Sequence, residues 1–309
     1  MTVRTTVAIP LFRASPWLEV VRANLDRLRG HAQLLVSDAT EDDDSLARLR
    51  AELDGSEGVT FLGRRDLAAG WVAHCNDLIG RADTEFFMWL PQDDDIDADW
   101  VVGGERCLDT APDAVLAAGR LVDAGTGPGA VAPRLLAPAM ADSDRQARLR
   151  AGLESALTGR LYELGLAFRG VIRREIACPL PAEPATGEWA DALWALRMLT
   201  RGRFVEIVGA DYVKRRYPEA THYGWRDLRT EPTLREAYLP AALVDLPPAE
   251  STALLLAAWS AESAVAAEKL RQAWARVRQA RARTDELRAE YRGSSHRPAG
   301  GASGQQRPS

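Results

Sequence analysis

The first 90 residues alternate short apolar segments with helical segments, and this alternation limits the possible folds more than any other feature. Four apolar segments have the pattern of buried strands, namely Thr6–Leu11, Gln33–Ser37, Val59–Leu62 and Glu85–Leu90. Helical spacing of apolar residues separates them, over Trp17–Leu28, Ser45–Leu53 and Ala68–Arg81. Strands and helices that alternate at this pace predict an α/β fold with a mostly parallel sheet and helices on both faces.

After Trp100 the pattern becomes less regular. Further strands are predicted at Val115–Leu121, Leu166–Arg173 and Phe204–Val208, and further helices over 144–166 and Trp189–Arg201. We assign the domain to residues 1–230, a proline-containing linker to 231–250, one long C-terminal helix to 251–292 and a disordered tail to 293–309.

Composition and charge exclude several functional classes. The chain has 309 residues, with 39 basic against 44 acidic side chains and a net charge of −5, so no nucleic-acid partner is expected. Its three cysteines are widely spaced and form no CxxC motif, which argues against a zinc site or a disulfide framework. We find neither a signal peptide nor an apolar run of the ~18 residues that cross a membrane. We therefore expect a cytoplasmic protein.

The predicted C-terminal helix contains a stretch with a net positive charge. Residues 268–292 contain eight basic and four acidic side chains. Apolar and small residues recur at a spacing of three to four between Trp259 and Tyr291, which favours packing against the same domain or self-association with a second copy. The arginines leave a second role open, in which the helix contacts a membrane surface or an acidic partner and the protein is peripheral to the membrane.

Acidic residues follow two of the predicted strands. Asp93, Asp94 and Asp95 come directly after the strand Glu85–Leu90 and its Pro-Gln turn, and Asp38 follows the second strand. Adjacent carboxylates repel one another unless a cation compensates them, and Mg²⁺ or Mn²⁺ held partly by a phosphate group suits such a position. The alternative is a solvated acidic turn. Because parallel strands end at one edge, we expect both turns to face one crevice.

Four segments in order resemble family 2 glycosyltransferases of the GT-A (Rossmann-like) fold. They are VAIPLF at 7–12, VSDATED at 36–42, GWVAHCND at 70–77 and WLPQDDD at 89–95. The resemblance covers 6–100 and resumes at 166–225. It implies inverting transfer of a sugar from a nucleotide-sugar donor, assisted by Mg²⁺ or Mn²⁺, to a carbohydrate, lipid-linked or small-molecule acceptor. The donor would bind the half 1–100 and the acceptor the half 101–230.

The resemblance also gives roles to individual residues. The positions that match nucleotide-sugar-binding residues are Pro10, Asp38, Asn76, Asp94, Arg215 and Arg216. Of these, Asp38 would contact the nucleobase and Asn76 would shape the pocket, while the arginines would lie beside the diphosphate. Asp93 matches the acid that coordinates the metal ion. We add Asp95 and His222 as further candidate metal ligands, from the acidic cluster and from the lone histidine after the last strand.

The candidate general base lies in the segment GEWADALWALRMLTRG, which resembles the family's Glu-Asp motif at the start of a helix. Asp191 matches the Asp of that motif, and Glu188 is the reserve candidate. An inverting transfer needs such a carboxylate beside the acceptor hydroxyl.

The chain departs from the family at two acidic positions, which keeps two other functions open. Pro91 replaces the first Asp of the D-x-D turn, and Ala190 replaces the Glu before Asp191. Both losses are compatible with a non-catalytic scaffold that acts through the C-terminal helix. A nucleotidyltransferase would use the same sheet, but it would need a glycine-rich basic loop after the first strand, where this chain has LFRASPW.

Overall fold

The computed structural model of the chain describes most of residues 2–215 and a short segment beyond them. The described residues are 2–40, 45–53, 57–64, 66, 70–124, 138–157, 164–165, 167–181, 189–215, 243, 246–254 and 256. Residues 251–254 and 256 of the predicted C-terminal helix are helical, and the rest of that helix and the predicted tail lie outside the described residues. No described helix is both long enough and apolar enough to span a membrane.

The described strands form one sheet. They are β1 Thr5–Leu11, β2 Gln33–Asp38, β3 Val59–Gly63, β4 Phe86–Trp89, β5 Asp95–Ile96, β6 Ala114–Asp123, β7 Val171–Arg173 and β8 Arg203–Lys214. Their order across the sheet is β3-β2-β1-β4-β7-β6-β8-β5. β3, β2, β1 and β4 are parallel neighbours and β6 is parallel to β8, whereas β7 and β5 run antiparallel to the strands beside them. The predicted mostly parallel sheet is confirmed.

Two helices pack on the face of the sheet to which Trp89 points. The described α-helices are α1 Leu18–Leu28, α2 Ser45–Leu53, α3 Trp71–Arg81, α4 Ala98–Thr110, α5 Arg145–Leu157 and α6 Ala190–Arg201. The indole nitrogen of Trp89 donates a hydrogen bond of 3.1 Å to the carbonyl of Cys75 in α3. The ring of Trp89 also meets the ring of Trp194 in α6, with centroids 5.2 Å apart. The end of β4 is therefore held between α3 and α6.

α4 packs on the opposite face. Phe87 points to the same side as Trp89, because alternate residues of a strand share a face, and its register partner Ile172 in β7 does so as well. Val171, next to Ile172, therefore faces the other side. A Cβ atom at Gly104 of α4 would lie 2.5 Å from Cγ2 of Val171, so the helix backbone touches the sheet directly there. The prediction of helices on both faces is confirmed.

Some elements differ from the sequence-based prediction. α4 was not predicted, because its two adjacent glycines interrupt the helical pattern, although they are what allows the close packing. β7 covers only the last three residues of the predicted strand Leu166–Arg173. The chain before it turns, since the N–H of Gly170 bonds to the carbonyl of Ala167 at 2.9 Å. The predicted strand Phe204–Val208 continues to Lys214 as β8.

An aromatic cluster fixes the turn before β7. The ring of Phe168 stacks on that of Trp89, with centroids 4.5 Å apart and an angle of 11° between the planes. It also meets the rings of Trp71 and Trp194 edge to face, each at 6.1 Å. Such contacts add to the free energy gained by burying the ring itself. The cluster therefore sets the position of the residue after Phe168, which is Arg169.

We expect Phe168→Ala to lower the free energy of unfolding by about 3–5 kcal/mol, because it opens a cavity inside the aromatic cluster. Phe12→Ala is the matched control, since the ring of Phe12 is 43% exposed and its loss should cost less than about 1 kcal/mol. Urea denaturation of both variants measures the difference. Equal losses would contradict the central position of Phe168.

Candidate active site

A buried ion pair holds the acidic turn after β4. The carboxylate of Asp94 is buried, with 1% of the residue exposed. It accepts hydrogen bonds from Nε of Arg169 at 2.7 Å, from the hydroxyl of Tyr212 at 2.9 Å and from the main-chain N–H of Arg215 at 3.2 Å. The side chain of Asn24 donates to the carbonyl of Asp94 at 2.8 Å. These contacts use both carboxylate oxygens and hold Asp94 inside the protein, and its contact with the donor stays a prediction.

Arg169 reaches Asp94 from the turn that the aromatic cluster fixes. Its carbonyl accepts a hydrogen bond of 3.2 Å from the indole of Trp100, and its guanidinium lies 5.8 Å from the ring centroid of Tyr212. Burial acts to lower the pKa of Arg169, but the charge of Asp94 and the hydrogen bond to it outweigh burial and raise the pKa. The guanidinium therefore stays charged inside the protein, and it neutralises Asp94.

Asp95 forms ion pairs of its own. Its Oδ1 accepts a hydrogen bond of 2.6 Å from Arg27 in α1, and its Oδ2 accepts one of 2.7 Å from Nε of Arg215. Asp95 is the first residue of β5, whereas Asp94 lies in the turn before that strand. Two arginines compensate the charge of Asp95, so its contacts do not favour the predicted role as a metal ligand. The hydrogen bond from Nε of Arg215 directs its guanidinium towards Asp95.

Asp93 and Lys214 lie beside the buried pair and have shifted pKa values. Burial, followed by the charge of Asp94, raises the pKa of Asp93 to about 6. The charge of Arg169, together with burial, lowers the pKa of Lys214 to about 8, although the charges of three carboxylates act in the opposite direction. Those carboxylates are Asp94, Asp191 and Asp93. The negative charges of the two candidate acids, Asp93 and Asp191, therefore both raise the pKa of Lys214.

Asp191 lies in the first turn of α6, where the helix dipole stabilises a carboxylate. Its Oδ1 accepts a hydrogen bond of 2.8 Å from the N–H of Ala192. A Cβ atom at Gly165 would lie 2.7 Å from Oδ2, so the carboxylate packs directly on the backbone of Gly165. Its charge acts on both Arg169 and Lys214. We call Asp93, Asp94, Arg169, Asp191 and Lys214 the charged cluster.

Asp38 and Pro10 lie together at the carboxyl edge of β1 and β2. Asp38 is 4% exposed, and its Oδ1 accepts a hydrogen bond of 2.8 Å from the N–H of Thr40. The hydroxyl of Thr40 in turn accepts a hydrogen bond of 2.7 Å from the N–H of Arg13. Pro10 is the register partner of Ser37, the residue before Asp38. The turn after β2 is therefore fixed against the end of β1.

Asn76 has a structural role in α3. Its Nδ2 donates to the carbonyl of Leu180 at 3.0 Å, and its Oδ1 accepts from the N–H of Leu180 at 2.7 Å. The amide thus fixes the loop after β7, and its part in shaping the pocket stays a prediction. The remaining candidates, Glu188, Arg216 and His222, lie outside the described residues and stay predictions.

No model of a protein family matches the sequence, and no curated protein matches it. Solved structures match its fold. Residues 1–349 of S. aureus TarS in complex with UDP-GlcNAc give a TM-score of 0.59 at 13% identity, over 82% of this chain and 70% of that chain. The complex of the same TarS segment with UDP gives 0.57 at 14% identity, over the same shares. This chain has the GT-A fold. At this identity the similarity shows the fold and does not show the reaction.

Several residues around the candidate site were not among the sequence-based candidates. Arg169 and Tyr212 contact Asp94 from far along the chain, so no local pattern indicates them. Phe12 ends the first matching segment and is 43% exposed, with the guanidinium of Arg13 5.2 Å from its ring centroid. Its aromatic type was the available signal. Gln92 bonds to the main chain of Phe12 through both ends of its amide. Its position between Pro91 and the acids gave no indication of this contact.

A separate hollow lies at the opposite end of the GT-A sheet. It has a volume of about 280 Å³ and is lined by Thr6, Gln33, Leu35, Thr60, Leu62, Arg81 and Asp83. Thr6 and Gln33 stand near the amino ends of β1 and β2, whereas the charged cluster lies beyond the carboxyl end of β4. No predicted site residue lines this hollow, so we do not assign the site to it.

We expect Arg169→Met to lower the free energy of unfolding by about 3–5 kcal/mol, because it leaves the buried carboxylate of Asp94 without its cation. In Arg169→Met/Asp94→Asn the loss should be smaller than the sum of the two single losses. Urea denaturation of the four proteins gives this coupling energy.

The exposed pair Arg120–Asp211 is the control for this cycle, since its side chains are 51% and 39% exposed. Arg120→Met and Asp211→Asn should show a coupling of about 0–1 kcal/mol. A coupling for Arg169 and Asp94 that is no larger than the coupling of this surface pair would contradict the role assigned to the buried pair.

Proposed function

We propose that this chain is a glycosyltransferase that moves a sugar from a nucleotide-diphospho-sugar to an acceptor hydroxyl with inversion. The observation that carries this proposal is the charged cluster at the carboxyl edge of the sheet. There Arg169 bonds to the buried Asp94, Lys214 follows Val213, which pairs with Asp95, and Asp191 lies in the first turn of α6. Ligands of open α/β sheets bind at this edge. The complexes of TarS with UDP and UDP-GlcNAc support a nucleotide-sugar as the donor.

The donor would lie along the carboxyl ends of β1, β2 and β4. The exposed ring of Phe12 offers a stacking surface for a nucleobase, and the carboxylate of Asp38 can accept a hydrogen bond from a base N–H. Lys214 lies by the acidic turn, where its ammonium can bind the diphosphate. The phosphates would thus meet the charged cluster while the base stays at the edge of β1 and β2.

The residues present fit a divalent ion that is shared with the diphosphate. Among the described residues no group of three His, Cys, Asp or Glu side chains could hold an ion alone. Asp93 is the acid of the turn whose pKa is raised by burial and by a neighbouring negative charge, and a bound cation would relieve both effects. Mg²⁺ commonly takes one or two protein carboxylates and completes its shell with phosphate oxygens and water. Bound by Asp93, Mg²⁺ or Mn²⁺ would supply Lewis-acid stabilisation of the leaving diphosphate.

Asp191 is the proposed general base. As the acceptor oxygen forms a bond to the anomeric carbon, its proton passes to the Asp191 carboxylate and the bond from that carbon to the diphosphate oxygen breaks. General-base action of this kind contributes about 10²–10⁴ to a rate. Gly165 and the N–H of Ala192 hold the carboxylate in place, and Lys214 can bind the negative charge of the departing nucleotide. Glu188 stays the reserve candidate.

We expect Asp93→Ala to abolish the metal-dependent part of nucleotide binding, because the proposed ion loses its carboxylate from the turn. Isothermal titration with UDP, GDP and dTDP, each with and without Mn²⁺, measures this part. Asp99→Ala is the control, since Asp99 is an exposed acid in the next helix and should leave binding unchanged. An Asp93→Ala protein that retains the Mn²⁺-dependent gain in affinity would show that the ion binds elsewhere.

We expect Asp191→Asn to lower kcat by about 10²-fold or more with little change in donor affinity, because the amide cannot take the acceptor's proton. Gly165→Ala should also lower kcat, since its Cβ would stand 2.7 Å from Oδ2 of Asp191 and displace the carboxylate. Release of the nucleoside diphosphate from donor and acceptor measures both rates. A near-wild-type rate for Asp191→Asn would show that another residue is the general base, and Glu188 would be the next candidate. A wild type that binds the donor without any turnover would favour the scaffold alternative.

A further inference from the structure

The side chain of Gln92 continues the hydrogen bonding between β1 and β4 after β4 has ended. The two strands pair up to Ala8, whose carbonyl accepts the N–H of Leu90 at 2.8 Å. At Pro91 the main chain turns away from β1. The side-chain amide of Gln92 then takes the place of a strand, since its Oε1 accepts the N–H of Phe12 at 2.8 Å and its Nε2 donates to the carbonyl of Phe12 at 2.9 Å.

The other side of the same segment bonds to the turn after β2. The carbonyl of Leu11 accepts the N–H of Ala39 at 3.0 Å, and the N–H of Arg13 donates to the hydroxyl of Thr40 at 2.7 Å. Arg13 has a left-handed backbone with a φ of 51°, which is unfavourable for a residue with a side chain. Both neighbouring turns therefore bond to the end of β1 and hold it in this shape.

Only an amide of this length suits both bonds of Gln92. The N–H and the carbonyl of Phe12 belong to one residue, so the partner must accept and donate at once, which a carboxylate cannot do. Gln92 also directly precedes Asp93 in the acidic turn. Its two hydrogen bonds thus connect the exposed ring of Phe12 to the turn that carries Asp93.

We propose that Gln92 is a positioning residue that sets the distance between the nucleobase surface at Phe12 and the diphosphate site at Asp93. This inference rests on the proposed function, because it assigns Gln92 to the donor site of that reaction. Gln92 touches neither the sugar nor the acceptor in this arrangement. Its loss should therefore weaken donor binding and leave the chemical step unchanged.

The test compares Gln92→Met and Gln92→Asn with the wild type. Met keeps the length and loses both hydrogen bonds, whereas Asn keeps the amide but is too short to make both. With the best bound of UDP, GDP and dTDP as probe, we expect affinity to fall about tenfold for Met and to a smaller extent for Asn. The KM for the donor should rise in the same order, while kcat stays within about twofold. A purely structural defect would lower kcat and the melting temperature as well.

The matched control is Gln146→Met, because Gln146 is a glutamine on α5 whose amide bonds to Glu250 at 2.9 Å, away from the charged cluster. It should keep wild-type affinity. Unchanged nucleotide affinity in Gln92→Met, or a fall in kcat without a rise in KM, would overturn the role of Gln92 and leave the proposed function standing. Should Gln92→Met not fold, Gln92→Asn decides by the same two criteria. A wild type that binds none of the three nucleotides would overturn both proposals.

Discussion

The buried ion pair between Arg169 and Asp94 is the constraint on which the arrangement of the site depends. A carboxylate removed from water is unfavourable unless a cation and hydrogen bonds compensate it, and Arg169, Tyr212 and the main chain of Arg215 supply these partners. The aromatic packing around Phe168 holds Arg169 in place to do so. A hydrophobic cluster on one face of the sheet thereby determines where an acidic turn stands at its edge.

Three acids that are adjacent in sequence have different roles because their partners differ. Asp94 is neutralised inside the protein by Arg169, and Asp95 is neutralised by two arginines on the other side. Asp93 directly precedes these two acids and has a pKa raised to about 6, so it is the acid of the turn that we expect to gain most from an added cation. Lys214 and Asp191 complete a site with one acid for the proposed ion and one for the acceptor proton.

The first half of the fold was predictable from the sequence because each of its strands is a short apolar segment between helices. β1 to β4 begin and end within one residue of the prediction. α4 was not predictable in the same way, because its glycines are explained only by contact with a strand about 70 residues away in the chain, at Val171. The sequence showed a row of acids, but it could not show which arginines face them. For that reason Asp94 and Asp95 were predicted to bind ligands, whereas the structure places them in ion pairs.

In the proposed complex Arg169 keeps Asp94 in the buried ion pair, and Asp93 is the one acid of the three that binds the ion on the diphosphate. Diffraction at the manganese absorption edge tests it most directly, on crystals grown with Mn²⁺ and the nucleoside diphosphate that binds best. We expect one anomalous peak between the carboxylate of Asp93 and the phosphate oxygens, with the Arg169–Asp94 pair unchanged. A peak on Asp94 or Asp95, or a nucleotide bound away from the charged cluster, would contradict it.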